Sequence, residues 1–332
     1  MAPVIFLTRR TAVRLASALL LAALAVTDAW AAERQKFTLA ALRRDGIMIP
    51  FASFDGRNWR LDWPDSDLVA PLPISRGDIP KKWWGPQGPD APWTAWLSSN
   101  RPPRPLTLGK PVQARVFCSG HPALATDYRG GAVDPREPTV PKDGLAVSGD
   151  VSLNDIVSVS VYAPEATHII AVIGNEFNLQ EAAAVAHFTN WSHPFWTEER
   201  KRYPIELEAL YRTTDTTSRG TWKTTYVEAI RRFPPRPDDK GCGLITFVRG
   251  WISEQEGKKP IINVGAKVTF CDRADVTFML PLARVVAGSE LYWVYQLSSW
   301  RDEVYAVSRL RPDGVRPVIA VAGGGCPKDP LR

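Results

Sequence analysis

The chain has 332 residues, 45% hydrophobic and 23% charged, with 41 Lys+Arg against 35 Asp+Glu. These are globular proportions for one or two domains, and they exclude a collagen, a coiled coil and a wholly disordered chain. The formal charge of +6 is dispersed. The densest stretch, Glu198-Glu199-Arg200-Lys201-Arg202, is mixed in sign. Nucleic-acid binding calls for a clustered basic face, so no nucleic-acid partner is expected.

Residues 1–31 carry the three-part export pattern. Arg9, Arg10 and Arg14 supply the positive start, an apolar run spans Ala16–Val26, and Ala29-Trp30-Ala31 offers small residues where a signal peptidase reads. A bilayer core needs about 20 apolar residues, so the short run predicts cleavage after Ala31 rather than anchoring. Thr8-Arg9-Arg10 leaves a twin-arginine route open beside the general one. No later segment is long and apolar enough to span a membrane, so an exported protein, periplasmic or extracellular, is expected.

Next come short runs separated by turns. Asp45-Gly46 and Asp55-Gly56 suit two-residue hairpins. They would place Leu42 opposite Ile49, Ala40 opposite Phe51 and Ala52 opposite Trp59, in a three-stranded meander. Pro50 cannot donate to a ladder and belongs at an edge or bulge. Residues 63–105 then hold ten Pro and five Trp: Trp63, Trp83, Trp84, Trp93 and Trp96. That density blocks helices and central strands and predicts an extended arm whose Trp rings pack across the meander. Any exposed ring among Trp83, Trp84, Trp93 and Trp96 could instead stack on a sugar or a proline-rich peptide, with Arg76, Lys81 and Lys82 nearby for anions.

Val112–Cys118, Val151–Tyr162 and Thr167–Ile173 read as strands, Tyr128–Asp143 as turn-rich, and Asn175–Phe188 as the one short helix, with Asn175 as its N-cap. From Tyr203 the period is two. Strands are predicted at Ile205–Arg212, Thr221–Phe233, Leu244–Glu254, Lys259–Phe270, Val276–Val286, Leu291–Leu297, Glu303–Leu310 and Val315–Val321. Arg311-Pro-Asp-Gly314 makes a strong hairpin turn. The expected organisation is a signal peptide (1–31), an N-terminal β region (32–165) containing the Trp/Pro segment, a helical connector (166–202) and a C-terminal antiparallel β domain (203–332). The fold class is mainly β: antiparallel sandwich or barrel-like sheets with one short helix, or alternatively an irregular β-propeller.

Cys118, Cys242, Cys271 and Cys326 are an even set that export would oxidise. A turn centred on Glu256-Gly257 puts Ile245 opposite Val268, Phe247 opposite Ala266, Trp251 opposite Ile262 and Glu254 opposite Lys259. Cys242 then faces Cys271, which leaves Cys118 for Cys326.

Catalytic motifs are sparse. His187 and His193 flank the predicted helix end with Glu198 close behind, and two imidazoles with a carboxylate can bind Zn²⁺ and leave a position for water. Residues six apart do not share a helix face, so this metal site is a weak candidate. Glu206 and Glu208, about 7 Å apart on one strand face, meet the carboxylate spacing of glycosidases as any such pair does. Asp150-x-Ser152-x-Asn154 lacks the Gly and Glu of a calcium loop. Gly323-Gly-Gly325 precedes no helix and offers no phosphate site. No cofactor is expected. The sequence points to an exported, non-enzymatic binding or structural protein of the cell envelope, with a glycan or another protein as partner. The alternative is a secreted, possibly metal-dependent hydrolase centred near His187, His193 and Glu198.

Overall fold

The computed structural model describes residues 35–64, 73, 75–134, 136–137, 139–187, 193–217, 220–235, 243–273 and 276–326. The predicted signal peptide and Cys242 lie outside the described residues. The strands are β1 (Phe37–Arg43), β2 (Ile47–Phe54), β3 (Trp59–Arg60), β4 (Trp93–Trp96), β5 (Arg104–Leu106), β6 (Leu108–Val116), β7 (Ser119–Thr126), β8 (Lys142–Gly149), β9 (Ser152–Asn154) and β10 (Val157–Ser158). Helices α1 (Pro164–Ala186) and α2 (Thr197–Arg200) follow. The chain then continues through β11 (Glu206–Thr217), β12 (Gly220–Arg232), β13 (Leu244–Gln255), β14 (Ile261–Phe270), β15 (Phe278–Ala287), β16 (Glu290–Ser298), β17 (Asp302–Arg311) and β18 (Gly314–Gly325).

The protein is mainly β, 53% strand, with antiparallel sheets and a half-barrel curl. An N-terminal sheet runs β5-β4-β8-β1-β2-β7-β6 with β3 added to β2, a central sheet β18-β17-β16-β15-β9, and an outer sheet β10-β11-β12-β13-β14. These stack in series. Phe37, Leu39, Phe51 and Val147 of the N-terminal sheet meet Val285, Tyr292, Val294, Tyr305 and Val307 of the central one. The opposite face of the central sheet sends Leu291, Trp293, Tyr295 and Leu310 against Trp222, Tyr226 and Trp251 of the outer sheet. The central sheet is therefore buried on both faces, which explains the near-continuous apolar run of β16. The Trp/Pro arm covers the far side of the N-terminal sheet and α1 the far side of the outer sheet. The series is open at both ends, with no ring of blades, so the propeller alternative does not describe it.

Three registers depart from expectation, for a common reason. At Arg43–Gly46 the amide of Gly46 donates to Arg43 O (3.0 Å), and Gly46 has φ +84°. This loop is one residue longer than a two-residue hairpin. Leu42 therefore pairs with Met48 and Ala40 with Pro50, until a bulge at Phe51 restores Leu39 to Ala52. Pro50 sits at that bulge, as its missing donor requires. At the second turn the Asp55 carboxylate accepts from the amides of Arg57 (2.9 Å) and Asn58 (2.8 Å). The longer loop pairs Phe54 with Trp59 and removes Ala52 from that partner. At the third, Lys258 N donates to Gln255 O (3.0 Å), Gly257 has φ +72°, and Glu256 keeps negative φ. The result is Thr246 opposite Val268, Val248 opposite Ala266 and Ile252 opposite Ile262, one residue away from the expected pairing. Register can be read from alternation when one face is polar. Both faces of β1 and β2 are buried, so there the turn decides. β14 keeps an exposed face at Asn263, Gly265 and Lys267, and its register is still set by the extra loop residue at Gly257.

Three other segments are corrected. Thr167–Ile173 is not a strand, and Asn175 is not an N-cap: both belong to α1, which starts with Pro164 in its first turn after Ala163. Ala166, Ile169, Ile173, Phe177 and Glu181 are its buried residues, spaced three and four apart. The β-branched run Thr167-His-Ile-Ile-Ala-Val-Ile173 masks this period. Val151–Tyr162 is not one strand. It breaks at Asp155, whose carboxylate takes the Ser99 amide (3.0 Å), so that β9 joins the central sheet and β10 the outer one. The strands β7 and β8 complete the N-terminal sheet without a clear sequence signal. Residues 63–105 are not purely extended: they contain helical turns at Arg76–Asp78 and Lys81–Gln87 and the strands β4 and β5. β4 is paired on both sides, because the prolines of this segment fall outside Trp93–Trp96.

Cys118, in the turn between β6 and β7, is bonded to Cys326 at the end of β18, joining the N-terminal and central sheets. Cys271 is also disulfide-bonded. Its expected partner, Cys242, is outside the described residues, and the register that argued for their pairing is the one corrected above.

Candidate functional site

Where the central and outer sheets diverge, the hairpin ends enclose a cleft of about 840 Å³. The outer sheet contributes Asp215 from β11, Trp222 from β12, Gln255 and Lys258 from the β13–β14 turn, and Ile261. The central sheet contributes Ser289, Glu290 and Leu291 from the β15–β16 turn, and Leu310, Arg311, Pro312 and Asp313 from the β17–β18 turn. The latter is the expected two-residue hairpin, with Leu310 opposite Val315 and Arg311 opposite Gly314, and Gly314 at φ +124°. It projects Asp313 and Arg311 to the rim.

Buried Trp222, Leu291 and Leu310 form the apolar floor. Trp222 Nε1 has no hydrogen-bond partner among the described residues. The rim is charged in both signs. Arg311 holds Glu290 through two nitrogens, Nε at 3.3 Å. Arg284 lies 4.0 Å from Asp215, and Arg316 lies 3.1 Å from Asp313. The Glu290 contact raises the Arg311 pKa further. A smaller depression of about 100 Å³ extends the cleft past Trp251, Ser253, Asn263 and Arg316, sharing Ile261 and Asp313 with it.

Behind the floor an aromatic layer separates the sheets: Trp251 makes edge contacts with Tyr226 (5.0 Å), Trp293 (5.1 Å) and Tyr295 (5.8 Å). Glu228 is buried in the same layer and accepts the Met279 amide at 2.7 Å. Desolvation pushes its pKa from 4.5 up to about 7, against the opposing pull of that amide and of Arg249. The folded state therefore holds this proton more tightly than the unfolded chain. The stabilisation is full below pH 4.5 and is lost as pH rises toward 7, by about 3 kcal/mol in total. Glu228→Gln should flatten stability between pH 5 and 8 and raise it at pH 8. Urea unfolding of both proteins across that range checks this, and parallel curves would contradict it.

The residues singled out from sequence lie elsewhere. Trp84, Trp93 and Trp96 are buried and Trp83 is half-buried, with Trp63 edge-on to Trp83 (5.4 Å) and Trp84 (6.0 Å). The arm packs as expected, and its buried rings present no face to a ligand. Arg76, Lys81 and Lys82 are exposed on its outer turns. His187 caps the C-terminus of α1. The His193 Nδ1 accepts the Phe195 amide (3.1 Å), and its ring packs edge-on against Phe233 (4.8 Å). Glu198 is exposed and paired with Lys201 (2.6 Å). Among the described residues no three His, Cys, Asp or Glu side chains cluster as metal ligands. Glu206 and Glu208 share Arg232, and Arg273 also holds Glu208. Ser152 and Asn154 pair with β15, while Asp150 is exposed. Gly324, at φ +138°, lies so close to Val116 that a side chain there would collide with it.

The cleft residues were not identified from sequence because they come from four separate hairpin ends. The Arg311-Pro-Asp-Gly314 turn was their one visible sign. No family model matches the chain, and neither does any curated protein or solved structure.

Proposed function

We propose that this is an exported, non-enzymatic binding protein of the cell envelope, and that the intersheet cleft takes a glycan. The observation that carries this is the pairing of a mixed-sign rim with an apolar floor. Asp215, Glu290 and Asp313 accept hydrogen bonds, Lys258 and Arg311 donate them, and Gln255 and Ser289 do both. Sugar hydroxyls donate and accept at short spacing, and the apolar floor suits the C–H face of a sugar ring. A rim that supplies both signs does not single out an anion.

Soluble fragments of envelope polysaccharide, titrated calorimetrically and by Trp fluorescence, test this. Asp215→Ala and Gln255→Ala should each weaken binding by tenfold or more, the loss of about one hydrogen bond to a charged or buried partner. Saturable binding that neither substitution changes, or no binding at all, would sink the assignment. New reducing ends on the bound fragment would favour the hydrolase alternative.

A further inference from the structure

A second polar constellation, far simpler than the cleft, is sealed between the N-terminal and central sheets. Lys142 at the start of β8 and Glu303 on β17 face each other with 2% and 0% side-chain exposure, Nζ to Oε2 2.5 Å. The same Oε2 accepts from Gln296 Nε2 of β16 at 3.1 Å. One carboxylate oxygen thus touches both an amine nitrogen and an amide nitrogen. The other, Oε1, takes the Tyr305 hydroxyl (2.5 Å), and Phe51 stacks on the Tyr305 ring at 5.2 Å. Gln296 is buried, and its carbonyl oxygen Oε1 has no partner among the described residues. Gly323 closes the site, since a Cβ there would lie 2.8 Å from the Tyr305 ring and 2.9 Å from Glu303 Cγ.

We propose that this site joins Lys142 to Gln296 by an amide bond, with Glu303 relaying the protons. Lys142 gives its ammonium proton to Glu303, and the neutral Nζ attacks Gln296 Cδ. As the tetrahedral centre collapses, Glu303 delivers its proton to Nε2 and takes another from Nζ. The Cδ–Nε2 bond breaks, and ammonia departs with the remaining proton as ammonium. One amide replaces another, so no oxidant, cofactor or activating group is required. Burial disfavours the charged amine, although Glu303 opposes this. Both reacting groups are fixed on strands around one carboxylate oxygen in a site closed to water. The bond would link the two sheets covalently, independently of Cys118–Cys326.

Peptide mapping of the full chain by mass spectrometry decides the matter. The expected result is a branched peptide joining Lys142 to Gln296, lighter than its two parents together by one ammonia, at one per chain. The same species should be missing from Glu303→Gln, with circular dichroism and the Cys118–Cys326 peptide reporting whether that variant folds. Separate, unmodified Lys142 and Gln296 peptides from the folded wild-type protein would overturn the proposal, whatever the variant does. A Lys142–Glu303 peptide lighter by one water would overturn the choice of acceptor. Cross-linking that persists in a folded Glu303→Gln variant would remove Glu303 from the relay.

Discussion

Replacing Cys118 and Cys326 together with Ser should cost about 2–5 kcal/mol of folding stability, with a lower urea midpoint and a steeper denaturant slope than the wild type. The bridge spans 208 residues, and the chain-entropy model puts its constraint on the unfolded state at about 5 kcal/mol, an upper figure because denatured chains retain structure. The native ends are already held nearby. Ser119 Oγ donates to Gly325 O (2.6 Å), and Cys326 N donates to Arg301 O (2.7 Å). The folded sheets should therefore stay docked in the variant, and the loss should appear mainly as a more expanded unfolded state. The single variant Cys326→Ser should in addition leave one thiol titratable at Cys118. A change in stability below 1 kcal/mol would show that the bridge merely decorates contacts that suffice without it.

Glu181→Leu should be comparably damaging, at about 3–5 kcal/mol. Glu181 occupies the apolar stripe of α1 and is 1% exposed. Its Oε2 receives Arg231 Nη1 at 2.6 Å and Arg200 Nε at 3.4 Å, and both guanidinium groups are themselves buried. Arg231 also lies over the Phe177 ring, 4.8 Å from its centroid. Deleting the carboxylate leaves two buried cations facing each other, which costs more than the pair itself contributes. Glu181→Gln keeps the shape and one acceptor and should fall between. Replacing all three residues with Leu, Met and Met should recover much of the loss, because no uncompensated charge remains. Denaturant melts of the single and triple variants measure this. A Glu181→Leu protein within 1 kcal/mol of wild type would mean that water reaches the two guanidinium groups.

The mainly antiparallel β character was legible because the C-terminal strands alternate and are separated by strong turns, of which Arg311-Pro-Asp-Gly314 was read correctly to the residue. The five Trp of residues 63–105 likewise pointed to a packed segment, since exposed rings are costly, whereas its helical turns at Arg76–Asp78 and Lys81–Gln87 and its interior strand β4 were not legible from the Pro content. The four cysteines and their even count suggested oxidation, and the Cys118–Cys326 bond is present. Local chemistry of this kind is carried by a few neighbouring residues.

What tertiary structure alone decided is which faces are buried. At Gly46 both faces of β1 and β2 are covered, so apolar alternation held no register information. At Gly257 one face of β14 is exposed, and there as at Gly46 a three-residue loop with positive φ at its glycine moved the register by one residue. The helix over Pro164–Ala186 was hidden by β-branched residues whose intrinsic preference yields to the outer sheet packed beneath them. The cleft and the Lys142–Glu303–Gln296 site were out of reach for a different reason. Their residues are remote in the chain and ordinary in type, and each site exists only where one sheet lies against another.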